Sequence, residues 1–271
     1  MKPLKNTTRK LQNQIEKLLG WTAESQTNLK PGTPYLKERD GILSLHFNTS
    51  SIQSEMSIDA PDELVIPYTR DMMSFLLLEP SPKRIAMIGL GGGSLAKYCY
   101  RHLPQADITV VEISPDVIAL RNEFAIPPDD ERFSVLLGDG AAFVRDAGKP
   151  FDVLIVDGFD EGGLPAELGS QQFYDDCFSS LTGTGLMVAN LWLGHPRYDQ
   201  CLRRIRTSFG DRVVVINADD GLNRTAIAVK STTFPPASST IRHHAKLLGT
   251  HTLNFQGKSN KLVKALADLA M

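Results

Sequence analysis

Between Arg84 and Glu112 the chain reads Arg-Ile-Ala-Met-Ile, then Gly-Leu-Gly-Gly-Gly-Ser, then a helical stretch, then Asp-Ile-Thr-Val-Val-Glu. The apolar run Ile85 to Ile88 has the length of a strand buried on both faces. Four glycines between Gly89 and Gly93 let backbone N–H groups approach a ligand, and Glu112 closes the second strand 23 residues after Gly89. That interval is close to the one at which an acid reaches a ribose hydroxyl pair in a nucleotide-binding βαβ unit. The stretch therefore predicts an α/β domain with a nucleoside over Gly89, Gly91 and Gly93 and its ribose on Glu112.

The loop fits a dinucleotide poorly, because Ser94 stands where that fingerprint has its third glycine. Downstream, Phe133 to Gly140 predicts a third strand ending in Gly-Asp139-Gly140, and Phe151 to Asp160 a fourth ending in Asp157-Gly-Phe-Asp160. Acids at the carboxyl ends of successive strands of an open sheet converge on one crevice.

These motifs, in this order, resemble those of the spermidine synthases, the polyamine aminopropyltransferases. The likeness rests on Gly89 to Ser94, Glu112, Asp139-Gly140, Asp157 to Asp160 and Phe173-Tyr174, and spans about residues 40 to 230. It implies a Rossmann-like, seven-stranded methyltransferase-type sheet with helices on both faces, preceded by a small N-terminal antiparallel β-module. It also implies a homodimer, and a nucleoside contact from Gln53 of the β-module. By the same resemblance Tyr68, Asp157, Asp160 and Tyr174 would meet the substrate.

Three positions depart from the family pattern. Arg70 stands where a glutamate belongs in the family's Tyr-His/Gln-Glu signature, which is Tyr68-Thr69-Arg70 here. Gly92 stands where an aspartate holds the ammonium of the aminopropyl group. Asn217-Ala-Asp-Asp-Gly replaces a Tyr-Pro segment that helps bind the amine. If Arg70 points inward, it and bare backbone N–H groups suit the carboxylate of intact S-adenosylmethionine. Against a methyltransferase stands Met87, where those enzymes usually carry an acid.

The chain has 271 residues, enough for one main α/β domain with appendages. We divide it into residues 1–62, with an amphipathic helix over 7–19 and the β-module, a catalytic domain over 63–233, and a linker with helices over 234–271. A helix is expected over 63–78, with Pro67 in its first turn. Cys99, Cys177 and Cys201 lack metal-ligand spacing and read as buried thiols in a reducing compartment. No apolar leader and no membrane-length apolar run is present, so a soluble cytoplasmic protein is expected. Although the net charge is only −2, residues 112 to 176 hold 15 acids against four bases. A crevice rimmed by this segment attracts a cation and repels nucleic-acid phosphate.

A sulfonium donor carries its own leaving group, so no metal is required. What is required is an aligned amine and a base for its proton. We assign Asp157 as that base, with Asp160 orienting the amine and Tyr68 beside them. Three readings remain open from the sequence: aminopropyl transfer from decarboxylated S-adenosylmethionine to a diamine, methyl transfer from S-adenosylmethionine to a small acceptor, and nucleoside or polyamine binding without turnover.

Overall fold

Asp40-Gly41 supplies a tight turn, both residues having positive φ (52° and 78°). This is the backbone a two-residue hairpin needs, and it joins β1 (Tyr35–Arg39) to β2 (Ile42–His46). With β3 (Ser54–Ser57) these form a three-stranded antiparallel sheet. The computed structural model describes residues 32–48, 52–159, 163–250 and 252–269. The helix expected over 7–19 and the candidate residue Asp160 lie outside them. Pro34–Met271 forms one compact unit.

The helix expected over 63–78 is shorter. Its α-helical part, α1, is Pro67–Met72, followed by a 3-10 turn over Met73–Leu77. Pro67 sets that start, since the residue before a proline is driven out of the helical region, and Ile66 is extended at φ −75° and ψ 131°.

The remaining strands are β4 (Arg84–Ile88), β5 (Asp107–Glu112), β6 (Phe133–Leu137), β7 (Phe151–Val156), β8 (Leu181–Trp192), β9 (Val213–Asn217) and β10 (Asn223–Val229). They form one seven-stranded sheet in the order β6-β5-β4-β7-β8-β10-β9. Strands β4 to β8 run parallel, and β10 pairs antiparallel with β8 and β9. Helices α2 (Ser94–His102), α3 (Pro115–Ala119), α4 (Gly140–Arg145), α5 (Gln171–Ser180) and α6 (Tyr198–Phe209) connect them. The C-terminal segment adds α7 (Ser238–Leu247) and α8 (Phe255–Ala267).

Alternate residues of β4 enter two separate cores. Ile85 and Met87 pack in one, and Ala86 and Ile88 in the other. Both faces of the sheet are thus covered, which is why its central strands are continuously apolar rather than alternating. The chain order reverses between β4 and β7, and at such a switch point the carboxyl strand ends leave a crevice.

Candidate active site

That crevice has a volume of about 620 Å³, the size of a small-molecule site. Its floor is the turn after β4. Gly89 has φ +96°, and a Cβ there would lie 2.4 Å from the main-chain oxygen of Asp157. Only glycine lets the two strand ends approach so closely. Gly91, also at positive φ, lines the crevice beside Leu90 and Ser94. Gly93 does not line it. Its left-handed φ of 67° instead turns the chain into α2, against Ile126.

Glu112 ends β5 at the crevice. Its Oε2 accepts from Leu90 N at 2.9 Å and its Oε1 from Ser114 N at 2.9 Å, so the side chain is held beneath the glycine loop. Asp139 lines the crevice while capping α4, its Oδ1 accepting from Ala142 N at 2.8 Å. A Cβ on Gly140 would come within 2.4 Å of Ile88 Cγ2. Gln53, whose N–H donates to Leu45 O at 2.8 Å, contributes to the wall from the β-module.

Asp157 follows β7 and is gripped from both sides. Tyr68 of α1 donates its hydroxyl to Oδ2 at 3.1 Å, and Asn190 of β8 donates Nδ2 to Oδ1 at 2.9 Å. Burial pushes the Asp157 carboxyl above the usual carboxylate range, and the bonds from Asn190 and Tyr68 partly oppose this. Tyr68 is itself held well above the usual phenol value, by burial first and then by the Asp157 charge. Tyr68 therefore stays a hydrogen-bond donor, and Asp157 is a carboxylate of raised basicity, as a general base requires.

Asn190 and Trp192 line the crevice as the end of β8, joined by Thr69, Phe159 and Asn223. No local pattern singled out Asn190 as a partner of Asp157. That bond depends on β7 and β8 lying side by side.

Besides that of Gly93, one expectation changes and one open question is answered. Tyr174 does not line the crevice; it is 1% exposed and buried in the core that also holds Phe173, Cys177 and Cys201. Arg70 does not enter the crevice either, because its Nη1 donates to Leu64 O and Val65 O, each at 2.7 Å. It closes the loop before α1 and offers nothing to a ligand carboxylate.

Gly92 is also sterically fixed. A Cβ there would lie 2.7 Å from the Phe124 ring and 2.7 Å from Ser54 Oγ. The Phe124 segment is pinned by the buried Lys97, whose Nζ donates to Phe124 O at 2.7 Å and whose pKa burial lowers to about 8. An acidic side chain therefore has no room at this position.

Among the described residues, four carboxylates line the crevice, Glu112, Asp139, Asp157 and Glu167, and no Lys or Arg does. No group of three His, Cys, Asp or Glu among the described residues is placed to hold a metal ion. No described helix is long and apolar enough to cross a membrane.

The spermine/spermidine synthase domain family matches residues 66–215. A polyamine aminopropyltransferase of Neisseria meningitidis serogroup A is 37% identical over 198 residues, covering 72% of this chain and 75% of that protein. A polyamine aminopropyltransferase of Chromobacterium violaceum is 35% identical over 229 residues, covering 84% and 88%. In fold, the chain is similar to the crystal structure of a probable spermidine synthase from Corynebacterium glutamicum, with a TM-score of 0.66 at 20% identity over 84% of this chain and 91% of that one.

Proposed function

The chain belongs to the spermine/spermidine synthase family, and from that premise we propose that it is an aminopropyltransferase, moving the aminopropyl group of decarboxylated S-adenosylmethionine to a diamine. The observation that carries this reading is the crevice wall, with its four carboxylates and no Lys or Arg among the described residues. Such a wall suits a sulfonium, a tail ammonium and a cationic acceptor. It gives the carboxylate of intact S-adenosylmethionine no cationic partner, and Arg70, the one candidate, is bound to main-chain carbonyls.

In this reading the nucleoside lies over Gly89 and Gly91, with the ribose on Glu112 and the base end toward Asp139 and Gly140. The acceptor amine enters beside Tyr68, Asp157 and Asn190, with Asp160 as a further orienting group. Its nitrogen attacks the propyl carbon bonded to sulfur. As the C–N bond forms, the C–S bond breaks, its electron pair goes to sulfur, and neutral methylthioadenosine leaves. Asp157 takes the proton released from nitrogen. An alkyl ammonium has a pKa of about 10.4, so a carboxylate of raised basicity is needed to bias it toward the free amine.

The sign of the pH dependence follows. Asp157 must be ionised to accept the proton, and its pKa is raised. Turnover is therefore expected to climb as pH rises through a limb lying above the usual carboxylate value of about 3.9. A pH–rate profile flat down to that value contradicts the assignment. A separate check concerns the ribose. Glu112→Ala is expected to weaken nucleoside binding by about tenfold to a hundredfold in calorimetry, as loss of charged hydrogen bonds does. Unchanged affinity would remove Glu112 from the site.

Calorimetry with both nucleosides tests the donor. Decarboxylated S-adenosylmethionine is expected to bind about tenfold tighter than the intact form or better, and the reverse order would favour methyl transfer.

A further inference from the structure

The C-terminal helix α8 lies outside the matched region 66–215, yet it reaches the element that carries Tyr68. Its Lys258 Nζ donates to Asp71 Oδ1 at 3.0 Å, and its Lys261 Nζ to Asp71 Oδ2 at 3.2 Å. Asp71 is 1% exposed and sits on α1 three residues after Tyr68, one helical turn along the same face. The same Oδ2 accepts the main-chain N–H of Asp219, at 3.2 Å, in the turn between β9 and β10. Lys261 also donates to Asp219 Oδ1 at 2.8 Å.

This cluster joins two elements that reach the crevice to a third that does not line it. One is α1, with Tyr68 on Asp157. The second is the β9–β10 turn, where Asp220 accepts from Asn223 N at 2.9 Å and from Asn223 Nδ2 at 3.0 Å, and Asn223 lines the crevice. The third is α8, anchored independently by Phe255, Leu262 and Leu266 in the core that holds Met72 and Leu76. A buried carboxylate with two ammonium partners tolerates little displacement, because losing a partner leaves an uncompensated charge out of water. Arg70, next to Asp71 in the last turn of α1, reaches back to the loop before the helix through Leu64 O and Val65 O. The last turn of the short helix is thus tied both to α8 and to the loop that precedes Tyr68.

We propose that α8 is part of the catalytic apparatus: Lys258 and Lys261 grip Asp71, hold Tyr68 against Asp157, and make Asp71 and Lys258 positioning residues for the transfer. The proposal rests on Asp157 being the base. The groups facing Asp157 are Tyr68 of α1 and Asn190 of β8, while Asp220 adds its charge near Tyr68. Those facing Asp71 are Lys258, Lys261 and the Asp219 N–H. Burial lowers the Lys258 pKa and Asp71 opposes that, so the lysine keeps its charge in part through the acid it grips.

The test uses the full chain and follows the Asp157 carboxyl by carbon NMR titration, assigned with Asp157→Asn. Because the Tyr68 bond lowers the Asp157 pKa, Lys258→Met is expected to raise it, as Tyr68→Phe does, and the double variant is expected to show no further rise. Turnover in Lys258→Met should drop about tenfold or more, with nucleoside affinity within about twofold, and Lys258→Arg should restore it. Should Lys258→Met fail to fold, Lys261→Met, which leaves Lys258 on Asp71, is read in the same way. An Asp157 titration unmoved in the variant, or a rise that adds to that of Tyr68→Phe, overturns the proposal and leaves the cluster a purely structural tie. The titration needs no turnover. A wild-type protein that transfers nothing, but whose Asp157 responds as expected, sinks the transfer reading and leaves the brace standing.

Discussion

Replacing Asp157 by Asn is expected to cut turnover at least about a hundredfold while nucleoside affinity stays within about threefold. The variant keeps the shape of the site. An amide oxygen can still accept from one of the two donors, Tyr68 and Asn190, that now hold the carboxylate at 3.1 and 2.9 Å. What it loses is the charge that draws the acceptor ammonium and the lone pair that takes its proton. In the proposed arrangement the nucleoside is held elsewhere, by the turn after β4 and by Glu112, so its binding should barely change. Single-turnover rates and calorimetry on the same preparation separate the two quantities. A variant as active as the wild type removes Asp157 from the mechanism.

The second large effect belongs to Gly89→Ala. The strained φ of +96° costs about 1–3 kcal/mol for a residue with a Cβ. The new atom would also lie 2.4 Å from Asp157 O and 2.9 Å from Asp157 C, so it pushes on the main chain that carries the base. A displacement of about 1 Å at the reacting centre is enough for a hundredfold loss, and turnover is expected to fall by at least about that factor. Melting should fall by several degrees, at about 2–4 °C for each kcal/mol in a chain of this size. Gly41→Ala is the control. Gly41 has φ +78° in the β1–β2 turn, but a Cβ there meets nothing within 4 Å. It should lose stability and keep turnover, and equal activity losses in both variants would deny Gly89 its special place.

The elements that could be read from the sequence are those whose signal is local. Ile85 to Ile88, the glycine turn and Glu112 announce a strand, a tight turn and a crevice-lining acid within 29 residues. The acids that follow β6 and β7 extend the pattern to a crevice, and the seven-stranded sheet was expected from the resemblance of these motifs to the family. What stayed hidden depends on contacts across the fold. Tyr174 and Arg70 each sit beside the right motifs, yet the rotation of α5 turns one into a core and two carbonyls of the preceding loop capture the other. Nothing near Gly92 in the chain indicates that Phe124 and Ser54 fill the space beside it. The bond from Asn190 to Asp157 spans 33 positions, and the ion pairs from Asp71 to Lys258 and Lys261 span 187 and 190. No periodicity encodes such a separation. The helix expected over 63–78 begins only at Pro67 for a local reason, since a proline disfavours helical backbone at the residue before it, here Ile66.

The central claim is that this crevice transfers an aminopropyl group to an amine. The most direct measurement incubates the protein with a diamine and, in parallel tubes, with decarboxylated or intact S-adenosylmethionine, and follows both nucleoside products by liquid chromatography and mass spectrometry. Methylthioadenosine and aminopropylated amine are expected in equal amounts from the decarboxylated donor, with the yield lost in Asp157→Asn. Methylated amine and S-adenosylhomocysteine from the intact donor, with no methylthioadenosine from the decarboxylated one, would contradict it.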